Sequence, residues 1–326
     1  MTFLSKIAVG LGSAILLSSC TATPTANPQP AGSSKADALQ VVTTFVPMTN
    51  FTKAVAGDRA QVTQLIPANI GPHDYQAKPQ DAQSLAAADV LIENGLSLES
   101  FLSDLIANAG NQALVVVDTS EGIEPIAAED EHESEHEPRH ESEHESEHEH
   151  GPSDPHIWLD PKKAIQQVEN IRDALATADP EGKPIYTANA AAYIKQLQAL
   201  DQKMSEALTP YAGKTFVTYH DFAEYFAHSY DLKVQYLVNV PESSAAPADV
   251  QRVIKAAQSS SLKTLLSEPQ QQGSPFDAMA QDLGVAVSTF DPMETSGPEG
   301  LEPNYYLTVM TQNLENLEAA FGQATP

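Results

Sequence analysis

Four residues in this chain could together hold a metal ion. Three are the histidines His73, His156 and His220, and the fourth is Asp291. His73 sits in the loop Pro67-Ala68-Asn69-Ile70-Gly71-Pro72-His73-Asp74-Tyr75, just after a predicted strand. His156 lies in a proline-bounded turn, Asp154-Pro155-His156-Ile157-Trp158-Leu159-Asp160-Pro161, before a predicted helix. His220 and Asp291 each follow a predicted strand directly. In parallel α/β sheets ligands collect at the carboxyl ends of strands, so three of the four are placed there and His156 could join them. Three imidazoles and one carboxylate form a nitrogen-rich, four-ligand set of the kind zinc takes. A carboxylate-richer set would suit a harder ion such as Mn²⁺. Spacing alone leaves the alternative open that each histidine is a solvated or hydrogen-bonded loop residue. His228, at a helix end, reads as structural or surface.

The elements that must position these residues alternate strand and helix. Strands are predicted near 41–46, 61–66, 90–93 and 114–118, with helices from Pro47 and over 79–88 and 98–109. After a helix over 161–178, a long Ala-, Gln- and Leu-rich stretch begins at Glu181. Some 25 helical residues would span ~38 Å, long for one lobe and suited to a connector. The alternation then restarts. Strands are predicted at 215–219, 234–238, 264–266 and 285–290, with helices at 222–229, 247–260, 275–283 and 303–321. Such alternation implies parallel strands with crossover helices. The expected fold is α/β, with an N-terminal lobe over 39–180, a connecting helix over 181–210 and a C-terminal lobe over 211–326.

Composition narrows the function. The 326 residues carry 44 Asp+Glu against 17 Lys+Arg, a net charge of −27 that argues against nucleic acid as a partner. The charge is concentrated. Residues 129–150 hold ten Glu, one Asp and one Arg, which is −10 of the total, together with six of the ten histidines. His132, His136, His140, His144 and His148 recur every fourth residue, with His150 at the end. Pro138 and mutual repulsion argue against a helix there, and His-rich tracts of this kind bind metal weakly and at several sites. At the other extreme of composition, residues 1–19 have one Lys and a short apolar run, too short to span a bilayer and ordered like a signal peptide. Cys20, the only cysteine, closes the run Leu17-Ser18-Ser19-Cys20, which resembles a bacterial lipobox with Cys20 as the lipidated residue. Residues 20–38 then read as a flexible tether.

Five ordered motifs carry a family resemblance: Gly71-Pro72-His73-Asp74-Tyr75-Gln76, His156-Ile157-Trp158-Leu159-Asp160-Pro161, Thr218-Tyr219-His220-Asp221-Phe222, Ser267-Glu268-Pro269-Gln270 and Phe290-Asp291-Pro292-Met293. Over roughly 39–325 the chain resembles the metal-specific substrate-binding lipoproteins of ABC importers, in particular the ZnuA-like zinc-uptake branch. The resemblance implies two Rossmann-like lobes, each with a mainly parallel sheet, joined by a single long backbone helix, with the metal between them. It carries the ligand roles onto His73, His156, His220 and Asp291. Manganese members have a Glu at the third position, so His220 points to Zn²⁺. Glu268 is expected behind a histidine, orienting it through its other ring nitrogen. Tyr219 and Trp158 are expected to pack the cleft, and the His-rich tract to raise local zinc. The expected protein is not an enzyme but a monomeric, lipid-anchored receptor on the outer (periplasmic) face of the cytoplasmic membrane, handing Zn²⁺ to a permease. Three alternatives stand beside it: a manganese receptor of the same family, an extracellular zinc buffer or adhesin, and a zinc hydrolase. The hydrolase would need a general base, and no His-Glu-x-x-His helix occurs.

Overall fold

The computed structural model describes residues 38–127, 153–238, 245–271 and 275–322. The signal-like segment, Cys20, the tether and all six tract histidines lie outside the described residues.

The first half runs β1 (Leu39–Thr43), α1 (Val46–Ala56), β2 (Ala60–Gln64), α2 (Pro79–Ala86), β3 (Val90–Glu93), α3 (Leu102–Ala109) and β4 (Val115–Asp118). Its strands form one parallel sheet in the order β2-β1-β3-β4. Helix α4 (Pro161–Ala178) and the 26-residue α5 (Lys183–Leu208) follow. The second half runs β5 (Thr215–His220), α6 (Glu224–Ser229), β6 (Lys233–Val238), α7 (Pro247–Ser259), β7 (Thr264–Ser267), α8 (Pro275–Leu283), β8 (Ala286–Thr289) and α9 (Tyr305–Phe321). Its sheet is also parallel and repeats the first order as β6-β5-β7-β8. The α/β fold with two parallel sheets therefore holds.

Local chemistry explains most boundaries. Proline stands in the first turn of α1, α2, α4, α5 and α7, where its missing N–H is no loss. Asp160 caps α4 by accepting the Lys162 N–H at 2.9 Å. Two expected boundaries move. The stretch 41–46 ends as strand at Thr43, because Phe45 is already the extended residue that precedes α1. Helix α3 starts at Leu102 rather than Leu98. Gly95, Leu96 and Ser97 all have positive φ (90°, 54° and 66°), and the Glu99 carboxylate accepts the N–H groups of Asn94 and Gly95 instead of entering a helix. A Cβ at Gly95 would collide with the Asp118 carboxylate, so only glycine fits that turn.

One apolar core runs through both halves, from Val41, Phe45 and Trp158 to Phe216, Phe290 and Leu317. Helix α5 packs on α1 and α4 and also on α9, which belongs to the second half. Its inward face, Tyr186, Ala190, Tyr193, Leu197, Leu200, Met204 and Leu208, is a helical stripe buried along its whole length.

Candidate metal centre

His220 is the last residue of β5, and Glu268 follows β7 directly. In the order β6-β5-β7-β8, the strand order reverses between β5 and β7, which is where this class of sheet binds ligands. His73 comes from the β2–α2 loop. His156 precedes a 3-10 turn over Ile157–Leu159, and its loop is pinned by Asn94 Nδ2 donating to Pro155 O at 2.9 Å. Asn94 follows β3, so the His156 loop is held at the reversal between β1 and β3 of the first sheet.

These three imidazoles meet a carboxylate, and it is that of Glu294. His73, His156, His220 and Glu294 each offer one ligand atom, all within 4.8 Å of one another. The Nε2 atoms of His73, His156 and His220 lie 3.0, 3.3 and 3.3 Å from Glu294 Oε1, and the Nε2 atoms of His73 and His156 are 3.3 Å apart. A tetrahedron with metal–nitrogen distances of ~2.0–2.1 Å has edges of about 3.3–3.4 Å. The donor atoms therefore already stand close to tetrahedral separation. His220 Nε2 is buried and lies 3.3 Å from Glu294 Oε1.

The acid that lies in this cluster is Glu294, not the expected Asp291. Asp291, two residues after β8, sits in a local turn: its Oδ1 accepts the Met293 N–H at 2.7 Å, and its N–H and carbonyl bond the side-chain amide of Asn313 at 2.8 Å each. Pro292 and Met293, the latter at φ 61°, then reverse the chain. Glu294 arrives three residues later with one more methylene and reaches the imidazoles. The sequence does place Glu294 beside the motif Phe290-Asp291-Pro292-Met293. The rule of looking at the strand's end favoured the nearer acid.

Carboxylates also stand behind two of the imidazoles. Glu268 Oε1 accepts from His220 Nδ1 at 2.5 Å, and its Oε2 accepts from Gln270 Nε2 at 2.7 Å. Asp154 Oδ1 accepts from His156 Nδ1 at 2.7 Å and from the His156 backbone N–H at 2.9 Å. With Nδ1 as the donor, each ring is turned so that the Nε2 lone pair faces the centre. Asp154 is the partner that sequence reasoning missed. Its only signal was position, two residues before the histidine. Trp158 is fully buried, edge-on to Phe45, with its ring 5.2 Å from that of His156. Tyr219 is half-buried against Phe276, and His228 is exposed on α6.

The electrostatics are those of a carboxylate embedded among imidazoles. Burial opposes charge on His156, but Asp154 and Glu294 outweigh it and push its pKa up to about 9. His220 is raised well above its ordinary value, burial being overcome by Glu268 and Glu294. Burial alone would raise Glu294, yet His73, His220 and His156 hold it well below the usual carboxylate range. Burial pushes Asp291 up to about 6. The neighbouring carboxylates thus favour the protonated forms of His156 and His220. Asp154→Asn removes the charge that orients His156, and a loss of metal affinity of roughly 10–100-fold is expected, measured by competition with a chelator.

The chain matches the family ZnuA, described as zinc-uptake complex component A, periplasmic, over residues 41–320. It is 32% identical over 288 residues to the high-affinity zinc uptake system protein ZnuA of Bacillus subtilis, covering 87% of this chain and 88% of that one. It is 30% identical over 291 residues to the manganese-binding lipoprotein MntA of Halalkalibacterium halodurans, covering 88% and 90%. Among solved structures it resembles the Zn(II)-bound ZnuA-like domain of Streptococcus pneumoniae AdcA, with a TM-score of 0.72, 27% identity and coverage of 88% and 100%. It spans 57% of the length of an intact AdcA from that species.

Proposed function

Because the chain belongs to the ZnuA family of periplasmic zinc-uptake components, we propose that it captures Zn²⁺ at His73, His156, His220 and Glu294 and delivers it to the permease of an ABC importer. The observation that carries this reading is the donor set, three imidazole nitrogens and one carboxylate oxygen at near-tetrahedral separation. Three neutral nitrogens favour Zn²⁺ over Mn²⁺, which prefers oxygen-rich, octahedral surroundings. The reading is a binding protein rather than an enzyme: all four donors serve the ion, and both carboxylates behind them are committed to imidazoles.

The rest of the reading concerns the chain around the site. Cys20 carries the lipid, residues 20–38 form the tether, and the protein works as a monomer on the outer face of the cytoplasmic membrane. No helix among the described residues is long and apolar enough to cross a membrane. The tract histidines His132 to His150 act as a weak accessory store that raises zinc near the centre.

The test is a pH series of Zn²⁺ titrations. Metal binds the deprotonated imidazoles, and protons bind the empty centre, so lowering pH favours the empty form. His156 at about 9, and His220 also raised, move this competition above the ordinary histidine range near ~6.5. From pH 7.5 to 5.5, apparent affinity should fall by roughly 100-fold for each proton displaced. Proton release on zinc binding, read by calorimetry in buffers of different ionisation enthalpy, should already occur at pH 7.5. Equal affinity at the two pH values would refute the assignment of these imidazoles. A tighter hold on Mn²⁺ than on Zn²⁺ would refute the choice of ion.

A further inference from the structure

Glu294 lies on a segment of the second half that is gripped largely from outside that half. The segment begins in its own sheet, where Asn313, 1% exposed, bonds both the N–H and the carbonyl of Asp291. Beyond that root, almost every hold comes from the first half or from the loop before α4. Trp158 Nε1 donates to Pro292 O at 2.8 Å. The Ser296 N–H donates to Ala68 O at 2.6 Å, in the same loop as His73. Asn50 of α1 donates through Nδ2 to both Gly300 O (2.7 Å) and Glu302 O (2.9 Å). Lys53, one turn further along α1, donates through Nζ to Leu301 O at 2.8 Å. Two side chains of α1 thus clamp three successive carbonyls of the strap that carries Glu294.

The strap is also strained where it meets the donor. Met293, immediately before Glu294, is fully buried with φ 61°, a conformation L residues adopt at a cost. Such a residue persists only while its surroundings over-determine it. Releasing the far end of the strap removes part of that constraint. Met293 can then return to negative φ, which turns Glu294 away from the imidazoles. His156 and His220 sit on other segments and need not move.

We propose that Asn50 and Lys53 are positioning residues for Glu294, and that their grip on Gly300–Glu302 sets the rate at which the centre releases Zn²⁺. This rests on the reading of the centre as a zinc site. The hydrogen bonds concerned are remote from the ion, so they act on dissociation through Glu294 and leave the approach of Zn²⁺ to the imidazoles unaffected.

The experiment loads the full chain with one equivalent of Zn²⁺ and follows release into excess chelator by stopped flow. Lys53→Met keeps the aliphatic stem and removes the ammonium; Asn50→Ala removes the amide. Each should release zinc roughly tenfold faster, with one-to-one stoichiometry retained and association unchanged. Lys53→Arg, which keeps a donor for Leu301 O, should restore the slower rate. In a Glu294→Gln background, Lys53→Met should no longer accelerate release, because the group through which it acts is gone. Wild-type release rates in Lys53→Met would overturn the proposal. So would an equal acceleration in the Glu294→Gln background. Asn50 is fully buried and its loss can impair folding, which circular dichroism detects; Lys53 is only half-buried, and its variants decide the question alone. If the unmodified chain holds no tight equivalent of zinc, the reading of the centre fails first, and that outcome is distinct from unchanged rates in a chain that binds.

Discussion

His220→Ala should lower zinc affinity by more than about 100-fold, whereas deleting residues 129–150 should leave one tight equivalent bound. The first figure follows from rank. Groups that only orient a ligand already contribute roughly 10–100-fold, and His220 supplies a donor atom itself. The substitution removes more than that atom. Glu268 loses the Nδ1–H that it accepts at 2.5 Å, and it is only 2% exposed. A buried carboxylate deprived of its partner must find a proton or water, so the empty variant should also unfold at a lower temperature. Zinc titration with a competing chelator reads the affinity, and thermal unfolding of the empty proteins reads the second effect. The deletion should behave otherwise. Ala127 and Ser153 pair as an antiparallel bridge, and the Asp154 N–H donates to Ile126 O at 3.0 Å. The Tyr225 hydroxyl accepts the Ile126 N–H at 2.9 Å and donates to Asp154 O at 2.8 Å. The ends of the tract are therefore joined below it, so its removal leaves Asp154 and His156 in place. Loss of tight one-to-one binding on deletion would move the primary site into the tract.

How much of this could be read from the chain depends on the length scale of each cause. The alternation of apolar runs and prolines is local, and it located every strand and α-helix among the described residues to within a few positions. The exceptions arose where a specific side-chain or backbone contact overrode the periodic pattern. Glu99 looks like part of an amphipathic helix, but its carboxylate is recruited by the Asn94 and Gly95 amides, and α3 begins later. The three histidines were legible because each ends a strand or occupies a proline-bounded turn, positions the fold fixes by topology. Glu294 was not, since its place depends on the reversal at Met293 and on α1 residues more than 240 positions away in sequence. Asp154 was hidden for the opposite reason. Its position beside His156 is evident, but an Asp before a Pro reads equally as a turn residue. Composition pointed at the acidic tract, while the candidate centre is built mostly from imidazoles.

Glu294→Gln should weaken zinc binding by on the order of 100-fold at pH 7.5, and Asp291→Asn by less than about tenfold, an ordering that separates the two acids. Glu294 is the sole anion among the donors, and a neutral amide oxygen is a poorer partner for a divalent cation. Asp291 serves the backbone: the Asp291→Asn side chain still offers an oxygen to the Met293 N–H, and the Asn313 contacts use main-chain atoms. The carboxyl of Asp291, raised to about 6, costs the empty protein stability as pH climbs through that value, because the folded state favours its neutral form. Its neutral replacement should therefore match or exceed the wild-type unfolding temperature at pH 7.5. The Glu294→Gln effect carries its own pH signature. In the proposed loaded form Glu294 binds zinc, and in the empty one it favours protonated His156 and His220. Removing it weakens the metal and its competing protons together. The affinity gap between wild type and Glu294→Gln should consequently be small near pH 6 and widen as pH rises toward 9. A gap independent of pH would mean that Glu294 does not share its oxygen with the imidazoles in the empty centre. A larger loss from Asp291→Asn than from Glu294→Gln would return the fourth position to Asp291.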